Sequence, residues 1–479
     1  MDAVAVTRPW DNLPGPRRWP VLGNALQLDR EHMHLQLEGW AQRFGAPFKF
    51  TIATKRFVVV TEPDAIARVL RDRPDGFRRP SSIERISKEF GFLGLFSAND
   101  ETWKRQRSMV LGSFDPTHIK AFFPALVDVT QRLARRWHGA ARGQRTIDLQ
   151  ADLMRYTVDV TAGLAFGEDI NTLEAEGDDT IQKHLNHVLP ALVRRALSPW
   201  DMWKLWPTRA DREIGGHLAQ VRVAVQSFIA KTRARLDADP QLREHPQNLI
   251  QAMVALRDKD AGLNDEDVSG NVLTMLLAGE DTTANTLAWL TWLLARNPQA
   301  LERAQAEARE VLQGAPCPQS QEQLARLDWI EACANEAMRL KPVAPLIFNE
   351  ALRPSIVEGV PVSRGDIVVC LMRAPSMNEQ LFANAREFRP ERWIAGEGAA
   401  ANALGSAKRV VMPFGAGPRM CPGRYLALAE IKMCAAMLLA NFDIEFVGTD
   451  SGKEPEEEIA LTMYPVGLKM KLKSLSPRT

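Results

Sequence analysis

The sequence holds 479 residues, 45% of them hydrophobic and 25% charged, enough for a large core and ordinary for a globular protein. Sixty basic and 59 acidic side chains nearly cancel, so nothing global points to nucleic acid. Its five cysteines (Cys317, Cys333, Cys370, Cys421 and Cys434) are odd in number and widely spaced, with no C-x-x-C pair, which argues against a disulfide framework or a structural zinc site and for a reducing compartment.

The opening "MDAVAVTRPWDNLPGPRRWPVLGN" has no basic segment followed by an apolar run, so no secretory signal is expected. In "FKFTIATKRFVVVTEP" (48–63), Phe, Ile, Thr and Val predict two short strands turning near Thr54 and Lys55. "WKRQR" (103–107) then puts Trp103 and Arg107 four apart on one helix face. An indole N–H beside a guanidinium makes a two-point donor for a carboxylate or phosphate; the ordinary alternative is an interfacial tryptophan near a surface arginine. Apolar residues at three- and four-residue spacing predict helices in "ALVDVTQRLARRWHGA" (125–140) and "DREIGGHLAQVRVAVQSFIAKTRARL" (211–236). Between them Trp200, Trp203 and Trp206 share a helix-like spacing that reads as core packing, with an access lid as the alternative.

From Val268 to Arg296 the pattern predicts one helix roughly 40 Å long, apolar on both sides and therefore buried. It carries Asn271, Glu280, Asp281 and Asn285, too costly in a bilayer for a membrane span. In its middle, "AGEDTT" (278–283) sets two carboxylates and two hydroxyls beside Ala278 and Gly279. The small residues can leave space beside the helix, and a threonine hydroxyl can bond back to the preceding turn, which together open a groove for water and a proton route. A bend with a solvated acidic patch is the alternative.

"EAMR" (336–339) lies near the end of a helix that Pro342 terminates, and Glu336 can pair with Arg339 three residues on. Alone this is an ordinary surface salt bridge. Arg392 in "FRPERW" (388–393) can join it to make a three-membered network. Between them, "GVPVSRGDIVVCLM" (359–372) predicts a strand pair turning at Ser363 to Asp366, and "AGEGAAANALGSA" (395–407) predicts a loop.

"PFGAGPRMCPG" (413–423) places Cys421 among glycines and prolines. Either the cysteine is a small apolar filler or its sulfur is a ligand. Phe414, Gly417, Arg419, Cys421 and Gly423 form F-x-x-G-x-R-x-C-x-G, and five fixed positions make the pattern specific. The helix "RYLALAEIKMCAAMLLANF" (424–442) follows, with Pro422 suited to its first turn. Unpaired N–H groups and the helix dipole there favour thiolate, and the glycines let backbone approach a flat partner. "FDIEFVG" (442–448) and "VGLKMKLK" (466–473) predict a last strand pair around an acidic connection. With no internal repeat, the chain reads as one domain over residues 1–479: a β-containing part at about 15–70, a helical core at about 80–345, and the cysteine loop at 413–423.

The cysteine loop, with "WKRQR", "AGEDTT", "EAMR" and "FRPERW" before it in the family's order, resembles the cytochrome P-450 haem-thiolate monooxygenases over nearly the whole chain, from "LPGP" (13–16) to "LTMYPVGLKMKLK" (461–473). The resemblance implies a mainly α fold with small β-sheets, the long helix lying over a haem. It implies haem b (iron protoporphyrin IX) as cofactor, with Cys421 as axial ligand of the iron, a thiolate favouring O–O cleavage. Arg419, Trp103 and Arg107 match the residues that hold the haem propionates. Phe414 and Gly415 match the loop beside the sulfur, and Ala278 the helix position over the haem. Thr282 matches the residue that hydrogen-bonds dioxygen and its waters, and Asp281 the acid that relays protons. Glu336, Arg339 and Arg392 match the bracing network.

Two positions depart from the family pattern. Asn349 stands where many members carry a propionate-binding arginine, so that anchoring is weaker or comes from another residue. "APSMNEQLF" (374–382) lacks the usual histidine, arginine and aspartate. By the family's topology, residues 86–100, the helix face before Ala278, "APLIF" (344–348) and "LTMYP" (461–465) line a pocket for a hydrophobic small molecule. No flavin or iron–sulfur motif follows, so electrons are expected from an external ferredoxin or flavodoxin-like donor with its reductase. Lys104, Arg105, Arg135, Arg136, Lys408, Arg409 and Arg424 offer a basic docking face, or ordinary solvated charge. The resemblance implies a soluble, cytoplasmic, bacterial-type monomer without a membrane span or nucleic-acid partner. A peroxygenase driven by hydrogen peroxide and a non-catalytic haem-thiolate sensor are the alternatives.

Overall fold

The longest apolar run folds as a single 32-residue helix, Asp265–Arg296, in a computed structural model that describes residues 8–113, 116–174, 180–259, 263–395 and 407–475. The helix starts at Asp265, ahead of the apolar pattern, because Asn264 caps it. The Asp267 N–H donates to Asn264 Oδ1 at 2.9 Å and the Asn264 N–H to Asp267 Oδ2 at 3.1 Å. Three acids in its first turn, Asp265, Glu266 and Asp267, suit the positive end of the dipole.

This central helix crosses the helix Leu149–Phe166 so closely that a Cβ on Gly279 would lie 2.3 Å from Thr161 Oγ1. The Thr157 hydroxyl also donates to the Glu280 carbonyl at 2.8 Å. Gly279 is thus a helix-contact residue, and the open space expected beside the Ala278–Gly279 pair belongs to Ala278 alone, which is exposed. The other predicted helices lie within Pro116–Arg142, Arg209–Ala238 and Arg424–Asn441. Of the three tryptophans read as core, only Trp203 is buried. Trp200 and Trp206 flank the one-turn helix Met202–Leu205 and are exposed.

Among the described residues twelve strands form four sheets. The strands β1 (Phe48–Ile52) and β2 (Lys55–Val60) make the predicted hairpin. Next come β3 (Phe77–Arg78), β4 (Ile147–Asp148), β5 (Leu346–Ala351), β6 (Ser355–Val357), β7 (Val360–Val362) and β8 (Ile367–Leu371), then β9 (Phe442–Gly448), β10 (Glu457–Ile459), β11 (Met463–Pro465) and β12 (Lys469–Ser474). The largest sheet has the order β1-β2-β8-β5-β3, with β8 parallel to β2 and antiparallel to β5.

Residues 359–372 do form two strands, but these do not pair with each other. Ile367–Leu371 is apolar and buried at every position, which fits a strand flanked on both sides, whereas Pro361 in β7 has no N–H and suits the two-stranded β6–β7 sheet. At the C-terminus β9 pairs with β12 as predicted, and β10–β11 is an added hairpin. It starts inside the acidic connection because Glu457 turns inward, meeting Lys341 at 2.6 Å, Arg373 at 2.7 Å and His34 at 3.1 Å. The loop expected at 395–407 lies, but for its two end residues, outside the described residues.

Candidate active site

The cysteine loop is shaped by two glycines with positive φ, Gly415 (73°) and Gly417 (71°). A Cβ on Gly417 would lie 2.6 Å from Arg71 Cα and 2.7 Å from the Leu70 carbonyl oxygen, so only glycine fits there. At Gly415 nothing lies within 4 Å of that point. The Cys421 N–H donates to the Phe414 carbonyl at 2.9 Å and closes the loop. The following helix is capped by Gly423 and starts at Arg424, so Pro422 precedes it rather than sitting in its first turn.

Cys421 is exposed, and the other four cysteines are buried. The residue is accessible although protein crowds its thiol. Burial therefore pushes the thiol up, against the Gly423 N–H and the guanidiniums of Arg107 and Arg424, which pull it down. The expected preference for thiolate is thus not supplied by the helix end; a coordinated metal would deprotonate the group outright.

On the central helix, Thr274, Ala278 and Thr282 recur at four-residue spacing and form an accessible stripe along an otherwise buried element, with Asp281 beside it. The Thr282 hydroxyl donates to the Ala278 carbonyl at 2.8 Å. Burial raises the Asp281 carboxyl to about 6. Its neighbour Thr283 turns the other way and hydrogen-bonds the carboxyl of Glu430, which burial raises to about 8. The sequence reading missed Glu430; its signal was an acid in the apolar run "RYLALAEIKM".

The predicted anion-binding residues converge. The Arg419 guanidinium carbon lies 4.5 Å over the Trp103 ring, and its Nη2 donates to the Ala98 carbonyl (2.9 Å) and Asn99 Oδ1 (3.0 Å). Arg107 Nη2 donates to the Met420 carbonyl at 2.8 Å, tying helix Asp100–Ser113 to the cysteine loop. Two further arginines not singled out from sequence, Arg73 and Arg79, join them. Burial and like-charge neighbours lower the Arg419 guanidinium to about 10, and burial lowers Arg73 equally.

Glu336, Arg339 and Arg392 also meet, fully buried. Arg339 grips Glu336 through Nε (2.9 Å) and Nη2 (2.8 Å), and Arg392 Nε reaches Glu336 Oε1 at 3.2 Å. Trp393 Nε1 adds a donor at 2.9 Å, and Arg339 Nη1 reaches the carbonyls of Ser376 and Ala385, both at 2.6 Å. The divergent "APSMNEQLF" segment is thus held through backbone oxygens, which need no particular side chain.

Two of the segments read as pocket walls meet the central helix. The Leu95 N–H donates to Asn271 Oδ1 at 2.9 Å and Asn285 Nδ2 approaches Thr462 Oγ1 at 3.5 Å; the Met463 N–H also donates to the carbonyl of Val343, the residue before the 344–348 segment, at 2.8 Å. Of the basic residues read as a docking face, Lys104, Arg135 and Arg136 are spent on Glu101 (2.8 Å), Glu174 (2.8 Å) and Asp152 (2.7 Å). Arg424 stacks on Tyr425 at 4.3 Å, while Arg105, Lys408 and Arg409 are exposed.

Arg79 Nε and Arg419 Nε are enclosed yet have no hydrogen-bond partner among the described residues. Unpartnered guanidinium nitrogens beside an accessible space ask for an anion. A flat, doubly carboxylated metal macrocycle fits what is present: Cys421 would hold its metal, Arg419 and its neighbours would hold its carboxylates, and the exposed Ala278 would leave it room beside the central helix. That defines the class, a haem-thiolate protein. A family model described as Cytochrome P-450 matches residues 13–472. Cytochrome P-450 714C3 of rice (Oryza sativa subsp. japonica) is 28% identical over 455 residues, covering 89% of this chain and 85% of its own. The self-sufficient cytochrome P-450 monooxygenase CYP505E3 of Aspergillus terreus is 27% identical over 475 residues, covering 96% of this chain, which spans only 43% of that relative. Among solved structures, the cytochrome P-450DA heme domain superposes with a TM-score of 0.83 at 23% identity, over 98% of this chain and 99% of its own, and shows the fold.

The chain belongs to the cytochrome P-450 family, and it is an oxidoreductase of the haem-thiolate monooxygenase class. No helix among the described residues is long and apolar enough to cross a membrane.

Proposed function

We propose that the protein, with residues 1–479 acting as one haem-binding unit in the cytoplasm, binds haem b through Cys421, takes two electrons from a separate ferredoxin or flavodoxin-like donor, and inserts one oxygen atom from dioxygen into a hydrophobic small molecule. The bound haem would supply the redox chemistry, with the thiolate favouring O–O cleavage. The rest is the work of this chain's side chains. Arg419, Trp103 and Arg107 would orient the macrocycle through its carboxylates.

One observation carries the reading: the juxtaposition of Asp281 and Thr282 on the accessible stripe of a buried helix. Because the Thr282 proton is committed to the Ala278 carbonyl, the Thr282 oxygen is left to accept, and can hold the proton of a water in place. With its carboxyl at about 6, Asp281 both takes and releases a proton near neutral pH, as a relay requires. Such a relay serves oxygen activation from dioxygen and has no task in a peroxide-driven reaction or a sensor.

The test is turnover of a hydrophobic substrate with a ferredoxin and reductase under isotopically labelled dioxygen. Substrates are first found by screening for a low- to high-spin shift. Label in the product, dependent on the reductant, is expected. Product formed only with added peroxide points to the peroxygenase, and no product from any spin-shifting compound points to the sensor.

A further inference from the structure

We infer that protons reach Asp281 from a titratable mouth between residues 29–32 and the β10–β11 hairpin, and that Glu458 and Tyr464 position the last transfer inward. This rests on the proposed function above and supplies the entry that a relay at Asp281 needs. No ion-pair partner or hydrogen-bond donor pulls the Asp281 carboxyl down against burial, so it has no basic neighbour to refill it. Its proton has to arrive through uncharged groups or water.

The hairpin is the first argument. In the β10–β11 pair Glu458 stands directly opposite Tyr464, so both project from one face, and the Tyr464 hydroxyl donates to Glu458 Oε2 at 2.6 Å. Glu457, one position along, turns to the other face and is neutralised there by Lys341 and Arg373. Glu458 meets no lysine or arginine among the described residues, which leaves Tyr464 as its partner.

The direction of that face is the second argument. Asp281 and Asn285, four residues apart, share one face of the central helix. Asn285 Nδ2 lies 3.5 Å from the hydroxyl of Thr462, two residues before Tyr464, so the hairpin packs along the face that carries Asp281. Tyr464 is close enough to feel the Asp281 charge. Burial first, then Glu458, Glu31 and Asp281, push the phenol well above its ordinary range, so it passes a proton only by accepting another as its own leaves.

The outer end is the third argument. His32 Nδ1 lies 2.9 Å from Asp29 Oδ2 and its Nε2 3.0 Å from Glu456 Oε1. The ring nitrogen and carboxylate oxygens of His32, Glu456 and Glu458 come within 4.8 Å of one another. Asp29 foremost, and then Glu456, hold the imidazole above its ordinary range, so near neutral pH it both carries and gives up a proton. The Ile459 N–H donates to the Glu31 carbonyl at 2.7 Å and fixes the hairpin against this segment.

Each proton that Asp281 gives leaves a carboxylate. The Tyr464 O–H bond breaks towards that carboxylate, directly or through one water, while a proton on Glu458 bonds to the Tyr464 oxygen. Glu458 is left ionised and is reloaded from His32 or bulk water, and no electrons move.

Tyr464→Phe and Glu458→Gln test this in the holoenzyme with a spin-shifting substrate. Product per reductant, peroxide release and the solvent isotope effect in deuterium oxide are measured. By the spin shift, each variant should bind that substrate as the native protein does. Each should lose roughly fivefold in product per reductant at pH 8, short of the hundredfold seen for a positioned acid–base group because water remains a slower donor. The solvent isotope effect should grow. At pH 6 most of the loss relative to native should recover, since bulk acid replaces the inlet, and a merely structural defect would not recover in this way. Native coupling in either variant, or a loss that pH 6 does not recover, overturns the inference. If Tyr464→Phe holds no haem, Glu458→Gln decides alone by the same criteria. A native protein that forms no product from dioxygen fails the reading above and this inference with it, whereas native coupling in the variants fails the inference only.

Discussion

Thr282 Oγ1 donates to the Ala278 carbonyl oxygen at 2.8 Å, one turn back along the same exposed stripe of the central helix. The hydroxyl proton is committed, so the oxygen can only accept, and the residue acts by holding another group's proton. Thr282→Ala should therefore leave substrate binding intact but divert reducing equivalents to hydrogen peroxide, cutting product per reductant by roughly a hundredfold, the lower end of the range for a positioned acid–base group. Thr282→Ser should retain most of the coupling. Equal coupling in the alanine variant and the native enzyme would remove Thr282 from the account.

Asp281 should reveal itself in stability as well as turnover. Its carboxyl is raised from an ordinary 3.8 to about 6 by burial alone, so folding disfavours the ionised form. Stability is lowered most above pH 6 and recovers as pH falls from there towards 3.8. Asp281→Asn should then be more stable than native at pH 7.5, by about 1–3 kcal/mol, and no more stable at pH 4. Thermal melts of both proteins across that range read the difference, and a constant gap at all pH values would contradict it. The same variant should slow oxygen activation, so stability and activity move in opposite directions.

Glu336 accepts from Arg339, Arg392, Trp393 and the Arg389 N–H, all in a fully enclosed site. Glu336→Gln removes the only negative charge of that triad and leaves two buried guanidiniums facing one another. A loss of roughly 3–5 kcal/mol is expected, seen as poor holoprotein yield and a lowered melting temperature. A melting temperature unchanged from native would show the network to be dispensable.

What could be read in advance depended on how far apart in the chain the partners lie. The central helix announces itself in its apolar pattern, and "EAMR" contains its own ion pair at helical spacing. The cysteine loop is legible because its glycines and Cys421 are contiguous. Arg79 is not legible in this way. "GFRRP" shows two adjacent arginines, and which of them meets Glu350 is decided only by a strand from the far side of the chain. Gly279 looked like open space because a glycine does not say whether it makes room for a ligand or for Thr161 of another helix. The strands of residues 359–372 were visible as strands, but their partners were set by Pro361 and by the burial of β8. Trp200 and Trp206 had the right spacing for a core and no helix long enough to bring them to it.

The central claim is that Cys421, the one exposed cysteine, ligates haem iron as thiolate. The absorption spectrum of the dithionite-reduced protein under carbon monoxide tests it most directly. The account predicts the strongly red-shifted Soret band of a thiolate-bound haem, lost in Cys421→Ala and unchanged in Cys317→Ala. A band at the ordinary histidine-ligated position in the native protein, or a red-shifted band that survives Cys421→Ala, would contradict it.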